Sequence, residues 1–195
     1  MASTARSFSF VGGSGGDWQV VEMRTMVGEP LPPVSHVAMT LTSEASKGGV
    51  WTLRGVTSNE RYVTRSEKTN LVAAQEGLGR PQCQCAAIIP IRKSPAWWAL
   101  TQDERRRIFE EQSGHIKIGM RALPGVARRL HHCRDLGTAE PFDFVTWFEF
   151  EEKDTDLFEN LLSELRATPE WEFIDREVDI RLRKAASCAV SDGQA

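Results

Sequence analysis

A chain of 195 residues, 41% hydrophobic and 26% charged, is long enough to bury a large core and has the balance of an ordinary water-soluble globular protein. With 24 basic against 27 acidic side chains the formal net charge is −3, and no basic tail supplies the electrostatic footprint of a nucleic-acid binder. The longest clean apolar run, 86–91, falls far short of the ~20 residues of a membrane helix, and the first six residues carry no apolar signal region, so no membrane contact and a cytoplasmic location are expected.

Ser7–Val11 reads as a short strand, followed by the flexible connector Gly12-Gly13-Ser14-Gly15-Gly16. Trp18–Met26 alternates as a strand. Three prolines within 28–33 exclude a helix or central strand there. His36–Leu41 and Val50–Thr57 read as strands around a Ser/Gly-rich loop, and Asn59 is placed to cap a helix over 60–76, stopped by Gly77 and Gly79. Gln82–Arg92 reads as a strand whose Pro90 predicts an edge or a bulge.

A short helix at 96–100 leads into Thr101-Gln102-Asp103-Glu104, a capping box, with Asp103 and Glu104 set against the positive end of the helix dipole. That helix is predicted to run to Ser113 and break at Gly114, which leaves His115 at a helix end. Arg105, Arg106 and Arg107 are expected to form a solvated helix face. After the turn Leu123-Pro124-Gly125 come strands at 126–133 and 142–151, the second alternating Phe142, Phe144, Thr146, Phe148 and Phe150 on one face. Asp154 caps a helix over 155–166; Thr168-Pro169-Glu170-Trp171 turns into a strand at 172–182, and a frayed tail is expected from Arg183. The order is that of two mixed halves, 1–95 and 96–182 with a tail at 183–195. Each half is similar to a ferredoxin-like unit with the first abbreviated, and the class is α+β.

Cys83, Cys85, Cys133 and Cys188 have no metal-ligand spacing and are expected to be reduced. His131 and His132 compete with His115 as ligands, but their neighbours suit ordinary packing. His36 is expected to be structural.

Ile89-Pro-Ile-Arg-Lys93-Ser-Pro-Ala-Trp97-Trp98, Glu104-Arg-Arg-Arg-Ile-Phe109 and His115 resemble the chlorite dismutase family of haem proteins. So do 130–135, 141–149, 165–171 and 176–182, a dense match over roughly 50–182. The short N-terminal part resembles the compact, dimeric, cytoplasmic lineage. The resemblance implies a dimeric α+β barrel fold, haem b in the second half, a homodimer, and conversion of chlorite to chloride and dioxygen through an oxo-iron and hypochlorite intermediate. It implies His115 as the proximal iron ligand, Glu170 as its hydrogen-bond partner and Lys93 in the same network. Arg128 falls on the distal arginine, and Gln75 on a distal residue that holds it. Tyr62 and Trp97 fall on contacts to the haem propionates or edge, and Leu123 and Phe148 on distal lining.

These residue types suit that chemistry. A carboxylate on the second ring nitrogen orients a metal-bound imidazole and raises its basicity. A lysine keeps that carboxylate ionised when it is buried. A guanidinium remains charged at any relevant pH and offers a planar fork to an anion such as chlorite. A haem-biosynthetic branch that decarboxylates coproporphyrin is a rival; it carries a reactive tyrosine and lacks the arginine, whereas Arg128 is present and Tyr62 is the sole tyrosine. A non-catalytic haem-binding module is the rival from another class.

Overall fold

The computed structural model describes residues 6–41, 49–57, 64–74, 76–137 and 139–185. Eight strands, β1 (Arg6–Gly13), β2 (Trp18–Val27), β3 (His36–Thr40), β4 (Trp51–Thr57), β5 (Cys85–Lys93), β6 (Ala127–His132), β7 (Phe144–Phe150) and β8 (Ile174–Lys184), close into an antiparallel barrel. Around it run the order β1-β3-β2-β8-β5-β7-β6-β4. Read from β4, the first four strands follow the order fourth, first, third, second. Read from β8, the last four follow the same order. The class is α+β, as the sequence predicts. β5, which the sequence reading sets in the first half, hydrogen-bonds to β7 and β8 and so goes with the second by pairing.

The two-residue alternation sorts the side chains. Val145 and Trp147 of β7, Ala86 and Ile88 of β5, and Val178, Ile180 and Leu182 of β8 join Phe8, Phe10, Trp18 and Leu53 inside the barrel. The opposite faces of β5 and β7 turn outward, with Ala87, Ile89, Phe148 and Phe150 under a helical layer. That layer is α5 (Thr155–Arg166), whose Phe158, Leu161, Leu162 and Leu165 recur at the spacing of one buried helix face. Of the face predicted to run from Phe142 to Phe150, the part on β7 is the helix-side face, whereas Phe142 precedes the strand and packs with the barrel core on the other side. Phe10, Phe142 and Trp147 of this interior are at most 1% exposed, and burial of each contributes ~2 kcal/mol or more.

Several sequence expectations are corrected. Pro90 lies in a strand paired on both sides. The β5–β8 ladder runs through Ile88↔Ile180 and resumes at Ile91↔Glu177, so the missing N–H falls in a gap, while the register shift comes later, at Arg92/Lys93. The helix expected over 60–76 is described as α1 (Arg65–Ala74), and the expected Asn59 cap lies outside the described residues. The strand predicted to end at 182 continues to Lys184, and Ala185 N–H donates to Asp17 O at 2.8 Å, because β2 offers it a partner. Among the described residues no helix is long and apolar enough to cross a membrane.

The central stretch differs most. α2 (Pro95–Ala99) and the capping box are as predicted, with Thr101 N–H donating to Glu104 Oε2 at 2.7 Å. The following helix, however, is α3 (Gln102–Arg106) continued by a π-helical turn over Arg107–Gln112. Gly114 then takes φ 61, a left-handed conformation natural to glycine, and a new helix α4 (His115–Arg121) begins. His115 is therefore the first residue of a helix, not the trailing end of one. Nor are the three arginines a uniformly solvated face. Arg105 donates to the Trp97 and Trp98 carbonyls at 3.1 and 2.7 Å, and Arg106 pairs with Glu67 at 2.9 Å.

Candidate active site

Three distant segments meet on the outer side of the second-half sheet. Lys93 ends β5, Glu170 sits in the 3-10 turn Pro169–Phe173 that leads into β8, and the β5–β8 pairing Lys93↔Ile174 brings the two together. Ser94 N–H donates to Phe173 O at 2.7 Å and fastens that turn to the end of β5. Lys93 Nζ donates to Glu170 Oε1 at 2.8 Å, and His115 Nδ1 lies 2.7 Å from Oε2 of the same carboxylate. Glu170 N–H in turn donates to the buried Ser113 Oγ at 3.0 Å.

Glu170 and Lys93 are 3% and 4% exposed. Burial alone would raise the Glu170 carboxyl, but His115 and Lys93 beside it bring it down to about 2. Burial lowers the Lys93 ammonium's pKa, while the carboxylates of Glu170 and Asp143 act in the opposite direction. Its Nζ also lies 4.4 Å above the Trp97 ring. An ionised carboxylate can only accept, so His115 Nδ1 is the donor and, in the neutral ring, Nε2 carries the free lone pair. The His115 side chain is 30% exposed, unlike the buried Glu170 and Lys93 beside it.

Arg128 stands on β6 next to Phe148 of β7, its registered cross-strand neighbour on the outer face. Its Nη1 donates to Gly119 O at 2.9 Å, one turn along α4 from His115. Burial brings its guanidinium down to about 10, so it stays charged at neutral pH. Gly119 makes this contact possible, because a Cβ there would lie 2.4 Å from Arg128 Nη2.

A scan against protein-family models matches residues 8–183 to the chlorite dismutase model. The chain belongs to the chlorite dismutase family. It is 50% identical to the crystal structure of a dimeric chlorite dismutase from Nitrobacter winogradskyi, with a TM-score of 0.84 over 91% of this chain and 99% of that one. A chlorite dismutase of Ideonella dechloratans is 29% identical over 120 residues; the match spans 60% of this chain and only 39% of that relative's length. A chlorite dismutase from Candidatus Nitrospira defluvii solved in complex with imidazole shares the fold at 20% identity and TM-score 0.63, covering 95% and 93% of the two chains.

Of the site residues predicted for this chlorite dismutase family member, the structure brings Lys93, His115 and Glu170 into one hydrogen-bonded group and ties Arg128, from β6, to the helix that begins with His115. Trp97 is 2% exposed; it meets Phe173 edge-on at 5.5 Å and lies under Lys93, so it braces the triad. Phe148 is buried against Phe158 of α5, and Leu123 is partly buried in the turn before β6. Tyr62 and Gln75 lie outside the described residues. His131 is no rival ligand, since it is sealed inside the barrel between Phe8 and Phe10 and burial lowers its pKa to about 4. Cys83, Cys85 and Cys133 are free and buried.

Sequence reasoning missed three contributors. Asp143, 5% exposed, accepts from Lys93 N–H at 2.7 Å, Trp98 Nε1 at 3.2 Å and Arg134 Nη1 at 3.3 Å, and so anchors the strand end that carries the lysine. Trp171 Nε1 donates to Glu177 Oε2 at 2.8 Å, tying the Glu170 turn to a buried cluster in which Arg166 bridges Glu177 and Asp179. Glu110 accepts from Ile116 N–H at 2.8 Å. The run of charged residues on one face of β8, Asp175, Glu177, Asp179, Arg181 and Arg183, was the available signal for the second of these.

Proposed function

We propose that this chain binds haem b through His115 and decomposes chlorite to chloride and dioxygen, acting as a homodimer. The observation that carries this is the His115–Glu170–Lys93 group. It fixes one imidazole nitrogen on a buried carboxylate and leaves the other as a lone-pair donor. That donor set fits a prosthetic iron, which asks one ligand of the protein. Among the described residues no cluster of three or more His, Cys, Asp or Glu could hold a bare metal ion instead. The dimer is inferred from the Nitrobacter winogradskyi neighbour, described as dimeric.

When bound, haem supplies an iron centre able to accept an oxygen atom and return it. The chain's own residues do the rest. His115 Nε2 would hold the iron, while its Nδ1–H donates to Glu170, which raises the ring's basicity. Lys93 keeps Glu170 ionised in its buried setting. Arg128 would offer a charged planar fork to chlorite and to the hypochlorite fragment derived from it. Dioxygen release from chlorite, followed with an oxygen electrode on haem-loaded protein, tests the reading. Arg128→Ala should leave haem uptake intact, slow dioxygen release about a hundredfold, and let hypochlorite escape to a chemical trap. A haem spectrum without dioxygen from the wild type would overturn the chlorite assignment.

A further inference from the structure

The segment just before His115 departs from ordinary helical geometry in a way the triad does not explain. Ser113 N–H donates to Ile108 O at 3.1 Å, the wide spacing of a π-turn, and Gly114 N–H donates to Glu110 O at 2.8 Å. Such turns insert a residue into a helix and re-aim the side chains around them. Here the re-aimed pair is Phe109 and Glu110. The Phe109 ring stacks on the His115 imidazole with centroids 4.3 Å apart and planes 24° from parallel. Glu110 sends its carboxylate past Gly114 to the Ile116 N–H. A helix start leaves its first amides unpartnered, and Gly114 at the N-cap has no side chain to fill that need.

We propose that Phe109 and Glu110, presented together by this π-turn, are positioning residues that fix the orientation of the His115 ring toward bound iron. The inference rests on the reading of His115 as the iron ligand. Phe109 blocks rotation of the ring about its Cβ–Cγ bond from one face. Glu110 holds the first turn of α4, and with it the His115 Cα. Glu170 takes Nδ1 from a third direction. Glu170 sets the basicity of the ring, and the π-turn sets where it points.

The test uses the full chain and has two readouts. In haem-free protein, the His115 Nδ1 proton observed by nitrogen-15 NMR should exchange with water about tenfold faster in Glu110→Ala and Phe109→Leu than in wild type. Glu110→Gln, whose amide oxygen can still accept from Ile116, should restore the slow rate. In haem-loaded protein, Glu110→Ala should lower the iron–histidine stretching frequency and raise about tenfold the rate at which haem passes to an apoprotein acceptor, again with rescue by Glu110→Gln. Folded Glu110→Ala with unchanged proton exchange and an unchanged stretching frequency would overturn the proposal and leave Glu110 a helix cap. Wild-type chain that takes up no haem would sink the proposed function, and the haem-free readout would still decide whether the π-turn orients His115.

Discussion

The barrel's first four strands and its last four share one spatial order, yet among the described residues the candidate active site lies on the second set. β1 and β2 are joined by residues 14–17 alone, too few for a helix, and the outward side chains of β2 stand bare, with Val21 64% exposed and Met26 41%. The second set is connected through helices that lie back on its outer face. Under them are buried Glu170, Lys93, Glu177 and Asp179, none more than 4% exposed. A sheet face open to water has no use for precise charge placement, because solvent screens it. A covered face makes every charge costly unless paired, and so each one has a fixed partner. The site is found where a helical layer has made such placement both possible and necessary.

Glu170→Ala should break the contrast most severely. It strips the buried Lys93 ammonium of its carboxylate and His115 of its acceptor. Breaking a buried pair from one side costs about 3–5 kcal/mol, against at most about 0.5 kcal/mol for a control such as Val21→Ser on the bare face. Urea unfolding of the two variants measures the difference; equal losses would mean the covered face is no more demanding than the open one.

The shared interior offers a second contrast, through pH. His131 of β6 is packed neutral against Phe8 and Phe10 of β1. Its pKa is lowered to about 4 by burial, whereas an unfolded chain protonates it near ~6.5. The unfolded state therefore binds the extra proton between those values. The contribution is fully present above ~6.5 and is lost as pH falls through about 4, at no more than ~1.4 kcal/mol per pH unit. Thermal melts between those pH values should show this slope, and His131→Phe should flatten it.

Gly119→Ala should have the smallest effect on stability and the sharpest on chemistry. The new Cβ meets the far end of the Arg128 side chain, which can swing away, and alanine favours a helix interior by ~1 kcal/mol. Melting temperature should hold or rise slightly while chlorite turnover falls as it does in Arg128→Ala. Unaltered turnover would show that the Gly119 contact does not set the position of Arg128.

Much of this was legible in the sequence wherever the signal is local. α5 falls on the predicted 155–166 because its apolar spacing and acidic start are complete within twelve residues. The Thr101–Glu104 box is readable for the same reason. The resemblance named Lys93, His115 and Glu170, and the fold joins them. What escaped is what depends on partners far along the chain. α4 is only seven residues long with a glycine inside, and its Ile116, Ile118 and Met120 alternate like a strand. The π-turn has no composition of its own. Pro90 looked like an edge because the sequence does not say that the barrel closes and leaves no edge to occupy.

Lys93, His115 and Glu170 are separated by tens of residues and are joined by the docking of the last strand onto β5. During synthesis a chain that has reached His115 but not Glu170 presents the imidazole with no acceptor and the lysine with no counter-charge. Long-range pairings of this kind form late. The turn that carries Glu170 runs directly into the strand that docks on β5 and β2, so the carboxylate reaches His115 and Lys93 in the same event that closes the barrel.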